Sequence, residues 1–168
     1  MTREGAVLVM AAAAALLLGL AAWGWRRRIR RDSALAAPVG EVPDGASDLA
    51  RFEALYVATT RHDEPLERLA IRGMGFRSRA GVTVTDAGVA LDLTGRPRLF
   101  LASDRIAGVD QATVAIDRVV ERDGLTRVAW RAADDTIVDT YLRPQSASAR
   151  ALADAIRSTL TPTTGGDA

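Results

Sequence analysis

At 168 residues without a single cysteine, the chain can hold no disulfide framework, no thiolate nucleophile and no thiolate metal site. Its 22 basic residues are all Arg and are nearly balanced by 21 acidic ones, and the net charge of +1 excludes the strong basic excess of a nucleic-acid-binding domain. Lys is absent while Ala, Gly, Val and Asp abound, the codon bias of a GC-rich genome, and no mechanism follows from it.

The first element is the uncharged run from Gly5 to Trp25. About 20 residues at ~1.5 Å rise each span the roughly 30 Å hydrocarbon core of a bilayer as one helix. A cleaved export signal needs a positively charged leader, a shorter apolar run and a small-residue cleavage site. Here Arg3 is cancelled by Glu4, and the run ends on Trp23 and Trp25, followed at once by Arg26, Arg27, Arg28, Arg30 and Arg31. Indoles suit the headgroup layer and the arginines form a stop, so the segment reads as an uncleaved single-pass anchor. A soluble chain of this size could not surround such a helix with apolar partners. Basic residues flanking a short span are retained on the cytoplasmic side, so the N-terminus is expected outside and the remainder in the cytoplasm, at the cell membrane. The same arginines sit where they can pair with anionic headgroups.

Residues 26–50 are expected to form a basic juxtamembrane run followed by a flexible linker, DSALAAPVGEVPDGASD from Asp32 to Asp48, rich in Ala, Pro, Gly and Asp without apolar periodicity. At the far end TPTTGGDA, residues 161–168, has nothing to bury and is expected to be disordered. Between them lies a block of about 110 residues, residues 51–160, enough for one core and not two. Arg and acidic residues balance from Asp48 to Leu160, so the excess charge belongs to the juxtamembrane run.

Within the block the period is two. Arg51 to Thr60 places Phe52, Ala54, Tyr56 and Ala58 on one face and Leu55 and Val57 on the other, which predicts a strand covered on both sides. RHDEPLERLAIRGMGFRSR interrupts the pattern with Pro65, Gly73 and Gly75, leaving room for a short strand or helical turn around Leu69 to Ile71. Short strands follow from Gly81 to Ser103, turning at Asp86–Gly88 and Thr94–Pro97. Ile106 and Val109 are expected to point inward, with further turns at Asp123–Gly124 and Asp134–Asp135. Trp130 and Tyr141 are the large aromatics available for the centre. After Pro144 the segment SASARALADAIRSTL predicts an amphipathic helix capped by Ser146, with Ala149, Leu152, Ala153, Ile156 and Leu160 on one stripe that must lie on the sheet.

VTVTDAGVALDL, RLFLASDRIAGVDQA, GLTRVAWRAADDTIVDTYLR and the closing helix resemble, in that order, the central hairpin, the strand leading to a D-x-I-x-x-V element, the last hairpin and the C-terminal helix of small actinobacterial membrane proteins with a PH-like (pleckstrin-homology-like) domain. The resemblance covers residues 51–160 and extends to the anchor. It implies a mainly β (α+β) chain, in which an antiparallel β-barrel of about seven strands is capped by a C-terminal α-helix. The family it points to has no assigned enzymatic activity, and members sometimes carry an export or transporter label.

Chemistry is sparse. His62 stands in RHDE beside Asp63 and Glu64, with Glu67 near, and a His among carboxylates can serve a metal or acid–base site. Sequence neighbours do not converge on one ion and no second His exists, so the segment reads as a solvated loop, with no metal and no catalytic residue expected. No G-x-S-x-G, P-loop or G-x-G-x-x-G occurs, and no cofactor is implied. Arg72, Arg77 and Arg79 form a candidate basic patch for phosphate-bearing lipid, which needs several fixed cations. The loop after the first strand, RHDEPLER, is acidic instead. The expected function is therefore a membrane-anchored binding or scaffolding module for an unidentified protein partner, without enzymatic activity or nucleic acid. Three alternatives stand beside it: an accessory subunit of an envelope transport or export system, an anionic-lipid-binding module, and an exported domain with a cleaved leader.

Overall fold

The computed structural model describes residues 3–32, 35–71, 73–115, 118–119, 124–133 and 135–160. Met1–Ala34 and Leu35–Ala168 form two compact units. The first contains the helix α1 (Arg3–Asp32). Within it Val7–Arg27, 21 residues at mean hydropathy 2.2, is long and apolar enough to cross a membrane, and none of it is buried by protein. An export signal would meet the same description. Arg26 and Arg30 stay helical, so the basic run continues α1.

The second unit begins with an extended segment at Leu35 and continues through ten strands. These are β1 (Asp48–Arg61), β2 (Glu64–Arg68), β3 (Ser78–Thr85), β4 (Gly88–Leu93), β5 (Leu99–Ala102), β6 (Ile106–Ala112), β7 (Val114–Ala115), β8 (Arg118–Val119), β9 (Leu125–Arg131) and β10 (Ile137–Pro144). A 3-10 turn, Ser103–Arg105, joins β5 to β6, and α2 (Ala149–Arg157) closes the unit. The main sheet is antiparallel and eight-stranded, in the order β5-β4-β3-β1-β10-β9-β6, with β2 paired to β1 off that path. The seven strands of the path correspond to the expected count, but β5 and β6 stay unpaired with each other and the sheet is not closed.

The long strand β1 joins the two halves. Asp48 to Tyr56 pair with β3, whereas Ala54 to Arg61 pair with β10, and the register shifts between Tyr56 and Ala58. A bulge of this kind bends the strand, letting one half of the sheet turn over the other. One apolar core then collects Val82 and Leu91 from one half, Val128 and Leu142 from the other, and Leu152 and Ile156 from α2. Trp130 fills the centre as expected and donates its Nε1–H to Thr140 Oγ1 at 2.9 Å. Tyr141 does not join it. Asp139 and Tyr141 alternate with Val138 and Leu142 along β10, so the ring falls on the opposite face with Leu125 and Ala115. The second core aromatic is Tyr56, whose hydroxyl donates to the carbonyl of Met74 and whose pKa burial pushes up to about 12.

Two positions show how local sequence sets this geometry. Gly88 has φ +148° and its missing Cβ would stand 2.1 Å from the carbonyl oxygen of Leu101, so only glycine lets β4 and β5 approach there. The cap of α2 is Ser148 and not Ser146, since Ser148 Oγ accepts the N–H of Ala151 at 3.0 Å. From that start Ala149, Leu152, Ala153 and Ile156 are buried, the predicted stripe, with Leu160 packed against its edge.

The expected linker is replaced, over part of its length, by a packed strap. Leu35 is 9% exposed within the core, and Val39 bridges Leu99 of β5. Phe100 N–H donates to Pro38 O at 2.8 Å and Gly40 N–H to Arg98 O at 3.2 Å. Arg98 holds Glu41 at 3.3 Å and Asp92 at 2.7 Å. Leu35 attaches the strap through its buried side chain and Val39 through its backbone bridge, so no apolar period marks the segment. The expected turn residues Asp123 and Asp134, and the tail 161–168, lie outside the described residues.

Candidate functional site

The interrupted segment after β1 is where sequence and structure diverge most. The strand is Glu64–Arg68, an edge strand that tolerates Pro65, while Leu69, Ile71 and Met74 beyond it turn into the core. Before β2 the chain reverses through His62 and Asp63, with Asp63 at φ +59°. The reversal brings the His62 side chain and the Asp63 backbone N–H to β10. His62 Nδ1 meets Asp139 Oδ1 at 2.8 Å, and Asp63 N–H donates to Asp139 Oδ2 at 3.1 Å. Glu64 and Glu67 take another course. Glu67 pairs with Arg61 at 3.2 Å, and its hydrogen bond to Glu64 raises the Glu64 carboxyl above the usual range.

Arg127 of β9 completes the cluster. Its guanidinium donates to Asp63 Oδ1 at 2.9 Å and to Asp110 Oδ2 at 2.9 Å, and lies 3.5 Å from Asp139 Oδ2. Burial alone would lower its pKa, but the bonds to Asp110 and Asp63 and the charge of Asp139 outweigh it and raise the value. Asp139, fully buried, is the residue that sequence reasoning missed. It is separated from His62 by most of the domain, and its one signal was an acidic residue inside an otherwise apolar strand.

The cluster occupies the outer face of the sheet near its β6 end. β6 is terminal in the strand order and has no strand on its far side among the described residues. Beside it runs α2, tied by Thr126 Oγ1, which donates to Ala149 O at 2.8 Å, and by Arg157 Nε, which donates to Val109 O at 2.9 Å. Ala107 and Asp110 of β6 are exposed.

The other predicted residues lie elsewhere. Arg77 and Arg79 are exposed at the start of β3, next to Phe76, whose ring is 78% exposed; Arg72 lies outside the described residues. In α1, Trp23 and Trp25 are exposed, and the Arg27 guanidinium sits 5.8 Å from the Trp23 ring centre, a cation–π contact. Arg26 is exposed too, while the side chains of Arg28 and Arg31 lie outside the described residues.

Residues 35–157 match the family model described as Bacterial PH domain-like, a span that runs from the strap to the last turn of α2. The chain belongs to that family. A PH-like domain is a scaffold that typically binds and does not catalyse. Among solved structures, the C-terminal domain of an unknown protein from Leishmania infantum is similar at 11% identity and a TM-score of 0.45, over 70% of this chain and 87% of that one. No curated protein matches the chain.

Proposed function

We propose that the protein is a membrane-anchored binding module, in which α1 spans the cell membrane with its N-terminus outside and the PH-like domain in the cytoplasm captures an extended segment of a protein partner along β6 beside α2. The observation that carries this is the asymmetry of the sheet. Its β5 end is covered by the chain's own strap, whereas β6 meets no strand among the described residues. An edge with no strand neighbour among the described residues, next to a helix, is an acceptor for strand addition. Anchoring and orientation rest on the exposed apolar length of Val7–Arg27 and on the Arg excess that follows it.

A second reading, contact with anionic lipid, is favoured by Phe76, which stands free between Gly75 and Arg77 with Arg79 close by. One experiment separates the two. A photo-crosslinking amino acid is placed singly at Ala107, Val39 and Phe76 of the full-length chain in native membranes. The partner reading expects a discrete protein adduct from Ala107 and none from Val39. Adducts to lipid from Phe76, without protein adducts from Ala107, would move the function to lipid recognition. The transport-accessory alternative is the case in which the Ala107 adduct is a channel or export subunit.

A further inference from the structure

The turn that docks on Asp139 also brings His62 and Asp63 against each other. His62 Nδ1 lies 2.8 Å from a fully buried carboxylate oxygen, so in the neutral ring Nδ1 carries the hydrogen and Nε2 the lone pair. That Nε2 faces Asp63 Oδ2 at 3.5 Å. In that form two acceptors lie 3.5 Å apart, a pair that a second ring proton or a bound cation would bridge. Arg127 does not supply it, because its contacts are to Asp63 Oδ1, Asp139 Oδ2 and Asp110 Oδ2. Three carboxylates share that one guanidinium, leaving a formal excess of negative charge around the turn.

We propose that His62 Nε2 and Asp63 Oδ2 are the protein ligands of a zinc-type divalent cation, with Asp139 as the positioning residue behind the imidazole. The donor spacing fits, against the expectation that sequence neighbours would not converge on one ion, because the turn at Asp63 brings Nε2 and Oδ2 to 3.5 Å. Bonds of about 2.0 Å at a tetrahedral angle place two ligand atoms roughly 3.3 Å apart. The chemistry fits as well, since imidazole selects zinc and its neighbours over magnesium and calcium. A ligating His ordinarily donates its other N–H to a carboxylate that fixes tautomer and orientation, and Asp139 is placed for that role. Asp139 is not itself a ligand, because Oδ1 is taken by His62 and Oδ2 by the Asp63 N–H and Arg127. Asp63 is 70% exposed and His62 partly so, which leaves the remaining coordination positions to water or to a donor from another molecule.

The chain suits a clean test, because it has one His and no Cys. Untagged full-length protein in detergent is titrated with Zn2+, Mg2+ and Ca2+ by calorimetry, and the imidazole nitrogens are followed by NMR. One zinc per chain is expected, with Nε2 shifting on addition and Nδ1 keeping its proton. His62→Gln should abolish binding, and Asp63→Asn, which tolerates the left-handed turn, should weaken it strongly. Asp139→Asn should weaken it about 10–100-fold. If Asp139→Asn fails to fold, the two exposed positions carry the test alone. Zinc binding that survives His62→Gln, magnesium binding as tight as zinc, or an imidazole that holds both protons and ignores zinc would each overturn the proposal.

Discussion

The two ends of the sheet are finished in opposite ways. At β5 the chain supplies its own cover, through the Val39 bridge to Leu99, the hydrogen bonds at Phe100 and Gly40, and the Arg98 to Glu41 pair. At β6 no further strand pairs among the described residues, and the terminal strand is bounded instead by a helix, a register shift between Ile106 and Gly108, and an exposed Asp110. Bulges and charges are the means by which proteins keep an open edge from pairing indiscriminately. An edge that is guarded but left accessible is what selective strand addition requires, whereas one covered by the chain's own segment is closed to it.

The largest expected effect comes from removing the helix that bounds the open end. Ile156 is fully buried where α2 meets the core, and Ile156→Asp puts a carboxylate there without a partner. A loss of roughly 4 kcal/mol is expected, from the missing apolar contacts together with the unpaired charge. Urea denaturation followed by circular dichroism checks it. A loss below about 1 kcal/mol would mean that α2 is dispensable, and the contrast between the ends would collapse.

Much of the β6 end was legible in advance, because α2 repeats its apolar residues at helical spacing and turn residues mark off the segments that form β9 and β10. The fold class followed from the run of short strands closed by that helix and from the family resemblance it carries. What escaped depended on contacts that no period encodes. Leu35 and Val39 sit in a Pro- and Gly-rich stretch and look like linker until β5 is beside them. His62 and Asp63 look like a solvated loop until the turn brings them to Asp139, on a strand far along the chain. Tyr141 was misplaced for a smaller reason: alternation assigns it to the face of Asp139, but its size had argued for the centre.

An intermediate effect is expected at the covered end. Leu35→Ala withdraws the buried side chain that anchors the strap, at a cost of about 2 kcal/mol, the low end for such truncations because the site lies at the margin of the core. Hydrogen exchange should accelerate at the Phe100 and Gly40 amides, which donate to and from the strap, while amides of β6 and β9 keep their protection. Equal acceleration at both ends would show that the strap supports the whole domain and not one edge.

The smallest effect sharpens the comparison most. Arg157 is half-exposed and ties the last turn of α2 to β6 through Val109 O, so Arg157→Ala should cost less than about 1 kcal/mol, the usual worth of a single partly solvated hydrogen bond. Its consequence should be local. With the tie gone, α2 shifts against the terminal strand, and crosslinking from Ala107 should fall severalfold while exchange at the Phe100 amide stays unchanged. Combining Arg157→Ala with Leu35→Ala then asks whether the ends are independent, because substitutions that share no partners add to within about 0.5 kcal/mol. A larger coupling would mean that the strap senses the state of the β6 edge through the common core. The covered and open ends would then be two faces of one element, and partner capture at β6 would reach the segment that leads to α1.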